Sequence, residues 1–380
     1  MTATGKSGIG RKSGWIAKPD GSLIRGQIAF TDRITALEPA SGGDDDDYIL
    51  PGLIDLQVNG SHGIDVMNAS VDALATLGGH LAGEGTTAWM PTAVTAPMEK
   101  IARVHDSIAN ALENSRSNEM TGCAANLGMH LEGPFISPLR LGAHPKLNLE
   151  PCGDAFERVL AMRALRLITL APELPGALDA IRRLTARGVV ASIGHTNATL
   201  DEANAGIDSG ARMFTHLFNA MRPLNHRDPG VIAAALGPSP ALAALIPDGV
   251  HVHPAMLRLA VTARGRDGII LVTDKVALAQ TSNSENIVGR ARATVRDGAA
   301  RLDDGTLAGS IISMLDAVRT MVENTGVSIG DAAVMASTNP ANLVGAHDRG
   351  RIQVGARADL IVLSRGLELK SVFIGGREIR

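Results

Sequence analysis

Apolar and polar positions divide this chain into three stretches of different rhythm. Over residues 1–50, segments such as "SLIRGQIAFTDRITALEPA" alternate apolar and polar, with turn residues between, as short half-buried strands do. Residues 346–380 repeat that rhythm in "GRIQVGARADLIVLSRGLELKSVFIGGREI". Two β-rich ends around a long middle predict one small β-sandwich domain assembled from both termini. The middle, residues 51–345, instead sets short apolar runs between helical patterns. The runs are 53–58, 87–90, 124–131, 165–170, 189–193, 213–217, 242–246 and 269–272. Helical periodicity covers 71–83, 97–114, 175–187, 200–209 and 254–263. Eight strands with intervening helices are the pattern of an α/β fold, a (β/α)₈ TIM-like barrel. The competing open doubly wound sheet lacks its usual mark, since no G-x-G-x-x-G follows the first run.

Composition agrees with a layered α/β core. Hydrophobic residues make up 45% of the 380 residues but aromatics only 2%, so branched aliphatics must fill the interior. A net charge of -3 gives no electrostatic reason to expect a nucleic-acid partner. The N-terminal "MTATGKSGIGRKSG" has no apolar core of a signal peptide, and the most apolar stretch, 231–247, is broken by Gly237, Pro238 and Pro240. No membrane span is expected. Cys123 and Cys152 are too few for a disulfide scaffold or a cysteine zinc site, which suits a reducing cytoplasm. The Asp44–Asp47 run reads as a solvated loop.

Chemistry collects where a barrel places it, at the C-terminal strand ends. Glu132 follows the third run, His195 the fifth and His216 the sixth. Asp248, His251 and His253 follow the seventh, and Asp274 ends the eighth. One strand-end histidine is ordinarily a hydrogen-bonded structural residue; this many ionisable strand ends is not accounted for that way. Glu132, His195 and His216 form a carboxylate-and-two-imidazole set that suits one divalent metal per chain, Zn²⁺ by expectation and Fe²⁺ by alternative. Asp274 is then placed to carry a proton. Arg222, His226 and Arg227 in "NAMRPLNHRDPG" supply the donors that a phosphate dianion wants.

The motifs "PGLIDLQVNG", "HLEGPFIS", "GAHP", "SIGHTNAT", "THLFNAMRPLNHRDPG", "DGVHVHP", "LVTD", "LAGS" and "NPANLVG" occur in this order. Together they resemble the N-acetylglucosamine-6-phosphate deacetylase family of the amidohydrolase superfamily, from about residue 51 to residue 359. The resemblance implies hydrolysis of the acetamide of a sugar phosphate in amino-sugar catabolism. It implies Glu132, His195 and His216 as metal ligands, Asp274 as the acid/base and His144 as a donor to the amide carbonyl. It further implies substrate contacts from Ala143, Asn219, Ala220, His251, Leu307, Ala308 and Gly309. Arg227 would reach the phosphate in the partner's site of a homodimer. Two departures stand out. Many amidohydrolases carry His-x-His at the end of strand one and hold a second metal; here Gln57 and Asn59 stand there, which predicts a single metal, with the amides holding a water or supporting the site. Lys275 follows Asp274 where the family has a small residue, and could tune the acid, crowd the sugar or point away. Lys275 motivates an alternative substrate, the galactosamine epimer. A catalytically silent sugar-phosphate-binding protein is the remaining alternative.

Overall fold

A computed structural model describes residues 9–39, 46–117, 122–282, 285–288 and 291–380. The two ends of the chain build one seven-stranded sheet. Its hub is Tyr48–Pro51, which runs parallel to Gly10–Ala17 (Ile16 opposite Ile49) and antiparallel to Leu360–Leu363 (Leu50 opposite Ile361). A strand flanked on both sides is buried, and Ile49 and Leu50 are fully so. The order onward is Leu369–Ile374 and Arg377–Glu378 on one side, Leu23–Phe30 and Ile34–Pro39 on the other. Phe30 and Phe373 lie on strands well apart in that order, yet their rings meet edge-on at 5.3 Å. The sheet therefore curls over its own core, the arrangement expected of a small sandwich. Of the acidic run, Asp44 and Asp45 lie outside the described residues. Asp46 accepts from Trp15 Nε1 at 2.9 Å and Asp47 pairs with Lys370 at 2.7 Å, so these two are tethered to the sheet and the loop is not simply solvated.

The middle is the predicted barrel. Its strands are β1 (Leu53–Val58), β2 (Thr86–Val94), β3 (Met129–Glu132), β4 (Leu165–Leu170), β5 (Val190–Ile193), β6 (Met213–Phe214), β7 (Leu242–Leu245) and β8 (Ile269–Leu271). Neighbours pair in parallel and in chain order. The ring closes where Asp274 N–H donates to Gln57 O at 2.9 Å and Val58 bridges Lys275 in parallel. Helices α1 (Val71–Gly83) and α2 (Met98–Ser117) return the chain after β1 and β2. Ser70 caps the first by accepting from Ala73 N–H.

Two strands are shorter than the apolar runs predicted. The run 124–131 splits at Gly128, whose φ of +115° turns the chain; a Cβ there would lie 2.8 Å from Ala164 O. The run 213–217 stops at Phe214 because His216 takes φ +30° and leaves the ladder. Among the elements not foreseen is a four-stranded antiparallel sheet from Glu285–Val288 to Leu307–Ser310, inserted after β8.

The barrel interior is apolar at the bottom, with Ile54, Leu56, Met90, Leu167, Ile270 and Val272 in one cluster. Above them is a buried polar layer. His130 bonds to Thr92 (3.3 Å) and Thr169 (2.8 Å), and Thr215 to Thr169 (2.8 Å) and Ser192 (2.6 Å). Burial pushes the His130 pKa down to about 4, so this floor is uncharged near neutrality.

Lys275 points away from the cavity described below. It is wholly buried behind β1, and its Nζ lies 2.5 Å from Glu84 Oε2, at the end of α1. Removing one partner of a buried pair strands the other charge. Lys275→Met is therefore expected to cost about 3 kcal/mol of stability, and Arg183→Ala, from the exposed pair with Glu157, far less. Urea unfolding of both variants measures the difference.

Candidate metal centre and its cavity

Each side chain of the site comes from a different strand end. Glu132 closes β3, and His195, His216 and Asp274 follow β5, β6 and β8. His195 (φ +48°), His216 (φ +30°) and Asp274 (φ +51°) all take left-handed backbone. That conformation costs about 1–3 kcal/mol for such residues and swings each side chain off the strand into the barrel mouth. Gly309 makes room for the third: a Cβ there would stand 2.7 Å from Asp274 O.

Glu132 Oε1 lies 3.1 Å from His195 Nε2 and 2.9 Å from His216 Nε2, and those nitrogens are 3.1 Å apart. His195 Nδ1 is 2.9 Å from Arg140 O. A carbonyl only accepts, so Nδ1 carries the proton. Burial, then the neighbouring His144, lowers the His195 pKa to about 4, and the ring is neutral. Its Nε2 lone pair then faces a carboxylate oxygen, which is unfavourable unless a cation lies between them. Burial works to raise the Glu132 pKa, but the ring of imidazoles around it outweighs burial and holds the group ionised. Burial works against charge on His216 as well, and Glu132 reverses that. The negative field that favours a proton on His216 equally favours a cation at that point, and a carboxylate with two neutral imidazoles fits a divalent ion. Glu132, His144 and His195 also bring ligand atoms within 4.8 Å of one another. His144 Nε2, however, is 3.8 Å from Glu132 Oε2, the outward oxygen, while Oε1 faces the tighter trio. The tightest set of candidate ligand atoms is therefore that of Glu132, His195 and His216, with His144 farther out.

Gln57 and Asn59 do share one side, as alternation predicts. Gln57 Nε2 donates to Glu132 Oε1 (3.1 Å) and to Asp274 Oδ1 (3.0 Å), and Asn59 Nδ2 donates to Asp274 Oδ1 (2.6 Å). Burial, and then the nearby Glu132 charge, raise the Asp274 pKa to about 6. Asp274 caps no helix here.

A cavity of about 360 Å³ opens over these groups. Ala143, His144, Asn219, Ala220, His251, Leu307, Ala308 and Gly309 all line it. Arg227 does not: it is exposed on the loop after β6. Arg222 is turned to Asp228. Lys275 is absent from the lining, which removes its supposed influence on the sugar. Some residues were missed in the sequence. Asp248 Oδ2 accepts from His251 Nδ1 at 2.6 Å, and Thr95 Oγ1 bonds His144 Nδ1 at 2.8 Å. Asp248 stood in the histidine-rich motif, so proximity could have suggested its role; Thr95 carried no signal. Asp65, Met67, Asn68, Val94, Ala96 and Lys100 complete a wall that no motif announced.

The sequence model of the amidohydrolase family matches residues 48–379. The chain belongs to the amidohydrolase family. It is 38% identical over 329 residues to the N-acetylglucosamine-6-phosphate deacetylase of Bacillus subtilis (strain 168), covering 85% of this chain and 82% of that one. It is 36% identical over 371 residues to an N-acetylgalactosamine-6-phosphate deacetylase of Escherichia coli O157:H7, covering 96% of each. Among solved structures, a variant N-acetyl-D-glucosamine-6-phosphate deacetylase of Mycobacterium smegmatis in complex with N-acetyl-D-glucosamine-6-phosphate superposes with a TM-score of 0.90 at 32% identity, covering 98% of this chain and 99% of that one. The Thermotoga maritima deacetylase does so with a TM-score of 0.90 at 30% identity, covering 97% and 99%. The resemblance read from the motifs and the barrel read from the periodicity both hold. The family is metal-dependent, and this cluster has the donor set and spacing that could hold an ion.

His195→Ala should weaken binding of added Zn²⁺ at least as much as loss of an outer-sphere partner, about 10–100-fold. Competition with a chromogenic chelator reads this out, and unchanged affinity would remove His195 from the ligand set.

Proposed function

We propose that this amidohydrolase hydrolyses the acetamide of N-acetylglucosamine 6-phosphate to glucosamine 6-phosphate and acetate, in amino-sugar catabolism. The observation that carries the reading is the convergence of Glu132, His195, His216 and Asp274 from separate strand ends onto one cavity. The relatives named above support the substrate. A divalent ion in that set, Zn²⁺ or Fe²⁺, supplies Lewis-acid polarisation and activation of water near neutral pH when bound.

The chain's own groups do the rest. Gln57 and Asn59 engage Asp274 Oδ1, which leaves Oδ2 as the oxygen that takes a proton from water and returns it to the departing amine. An amine leaves poorly unless protonated, so this transfer is the decisive one. His144, with Nδ1 bonded to Thr95, presents Nε2 to the amide carbonyl. His251, with Nδ1–H given to Asp248, keeps Nε2 for the substrate. Asn219, Ala220 and the Leu307–Gly309 loop contact the sugar phosphate. Arg227, exposed and away from its own cavity, supports a homodimer in which it reaches the partner's phosphate. One ion per chain follows from Gln57 and Asn59, whose amide donors are committed to carboxylates where a second metal's histidines would stand. The two free thiols suit the cytoplasm. Among the described residues no helix is long and apolar enough to cross a membrane.

The galactosamine epimer is the second reading, carried by the Escherichia coli relative that aligns over nearly the whole chain. Comparing kcat/KM for the two 6-phosphates decides between them, since specificity is differential transition-state binding.

Asp274→Asn is expected to lower kcat for acetate release by about 10²–10⁴-fold while the protein keeps about one metal per chain. Full activity in that variant would refute the proton carrier; two tightly held metals in the wild type would refute only the stoichiometry. Arg227→Ala should raise KM more than it lowers kcat.

A further inference from the structure

One part of the cavity wall has no role in the reaction proposed above. Of the sugar-phosphate contacts proposed above, Asn219, Ala220 and His251 follow β6 and β7. Met67, Val94 and Ala96 follow or close β1 and β2 and line the same cavity. In a ring of eight strands paired in chain order, β2 stands opposite β6. These residues therefore face the sugar site across the reacting groups.

The chemistry of the scissile bond says what lies there. A secondary amide is planar and trans. Its two carbon substituents sit about 3.8 Å apart and extend in opposite directions. With the sugar carbon over β6 and β7 and the carbonyl carbon at Glu132 and Asp274, the acyl carbon must point to β1 and β2. The apolar part of the wall it meets, Met67, Val94 and Ala96, sits beside the polar Asp65, Asn68, Thr95 and Lys100 and is held in place. Val94 N–H donates to Met67 Sδ at 3.3 Å, which pins the sulfur. Asp65 accepts from Met67 N–H (3.0 Å) and Asn68 Nδ2 (2.6 Å), so its carboxylate fixes this turn. Ala96 adds a small buried side chain rather than a stop. Methionine in such a wall adjusts to chains of different length.

We infer that Met67, Val94 and Ala96 form an acyl subsite that takes unbranched N-acyl chains one or two carbons longer than acetyl, making this chain an N-acyl rather than strictly N-acetyl amino-sugar phosphate hydrolase. The inference rests on the reaction proposed above. Its test compares kcat/KM for N-butyryl- and N-acetylglucosamine 6-phosphate in the metal-loaded wild type, Met67→Phe and Met67→Ala. Each result is the ratio of the two substrates on one preparation, so loss of folded protein cancels. The wild-type ratio is expected to stay within about tenfold of unity, below the 10–200-fold that a single misfit methylene can cost. Met67→Phe should lower that ratio at least about tenfold, and Met67→Ala should raise it. A wild-type ratio below about one in 200, or one that does not move in Met67→Phe, overturns the subsite while acetyl hydrolysis leaves the reaction standing. Absence of acetyl hydrolysis overturns the reaction and the subsite together.

Discussion

Two carboxylates buried side by side, Glu132 and Asp274, are the constraint around which this molecule is arranged. Each raises the other's cost of ionisation, and burial raises it further. The Gln57 amide bridges both oxygens from the end of β1, and Asn59 adds a second donor to Asp274. His195 and His216 close on the Glu132 oxygen from two further strands. None of these groups reaches the carboxylates unless the barrel ring closes, because they come from β1, β5 and β6 while the carboxylates come from β3 and β8. The closure between Gln57 O and Asp274 N–H thus belongs to the site as much as to the fold.

The same constraint accounts for the support around the site. Beneath it, the uncharged His130 and hydroxyl layer satisfies the inward polar atoms without adding charge. Behind it, Asp55 accepts from Thr273 Oγ1 at 2.5 Å and Lys275 pairs with Glu84, which grips the residues on both sides of Asp274. A positive φ at Asp274 persists because its neighbours are held so firmly. Lys275 is thereby an anchor in the shell outside the barrel, and the ammonium next to the acid in sequence is directed away from it in space.

Fold and most of the site were legible in the chain because both rest on local rules. Alternation exposed the terminal strands, and apolar runs between helical patterns exposed the barrel. Strand-end placement singled out Glu132, His195, His216, His251 and Asp274. Runs 124–131 and 213–217 overshot, since apolarity does not register a glycine turn or a histidine driven to positive φ. The inserted sheet from 285 to 310 went unread because its strands are only four to six residues long. Thr95 was invisible, being one hydroxyl among many.

What the sequence determined by itself is which residues stand at strand ends, since two-residue alternation and apolar run length are properties of the chain. It also determined that amides replace histidines at the end of β1. Only the tertiary structure decided what those residues face. Gln57 and Asn59 meet carboxylates, Lys275 meets Glu84, Arg227 stays outside its own cavity, and Met67 lines one cavity with Asn219 and Ala220. The physical reason is that a side chain's direction depends on backbone φ, strand register and ring closure. Those are settled by pairing between segments far apart in the chain, and no local pattern carries them.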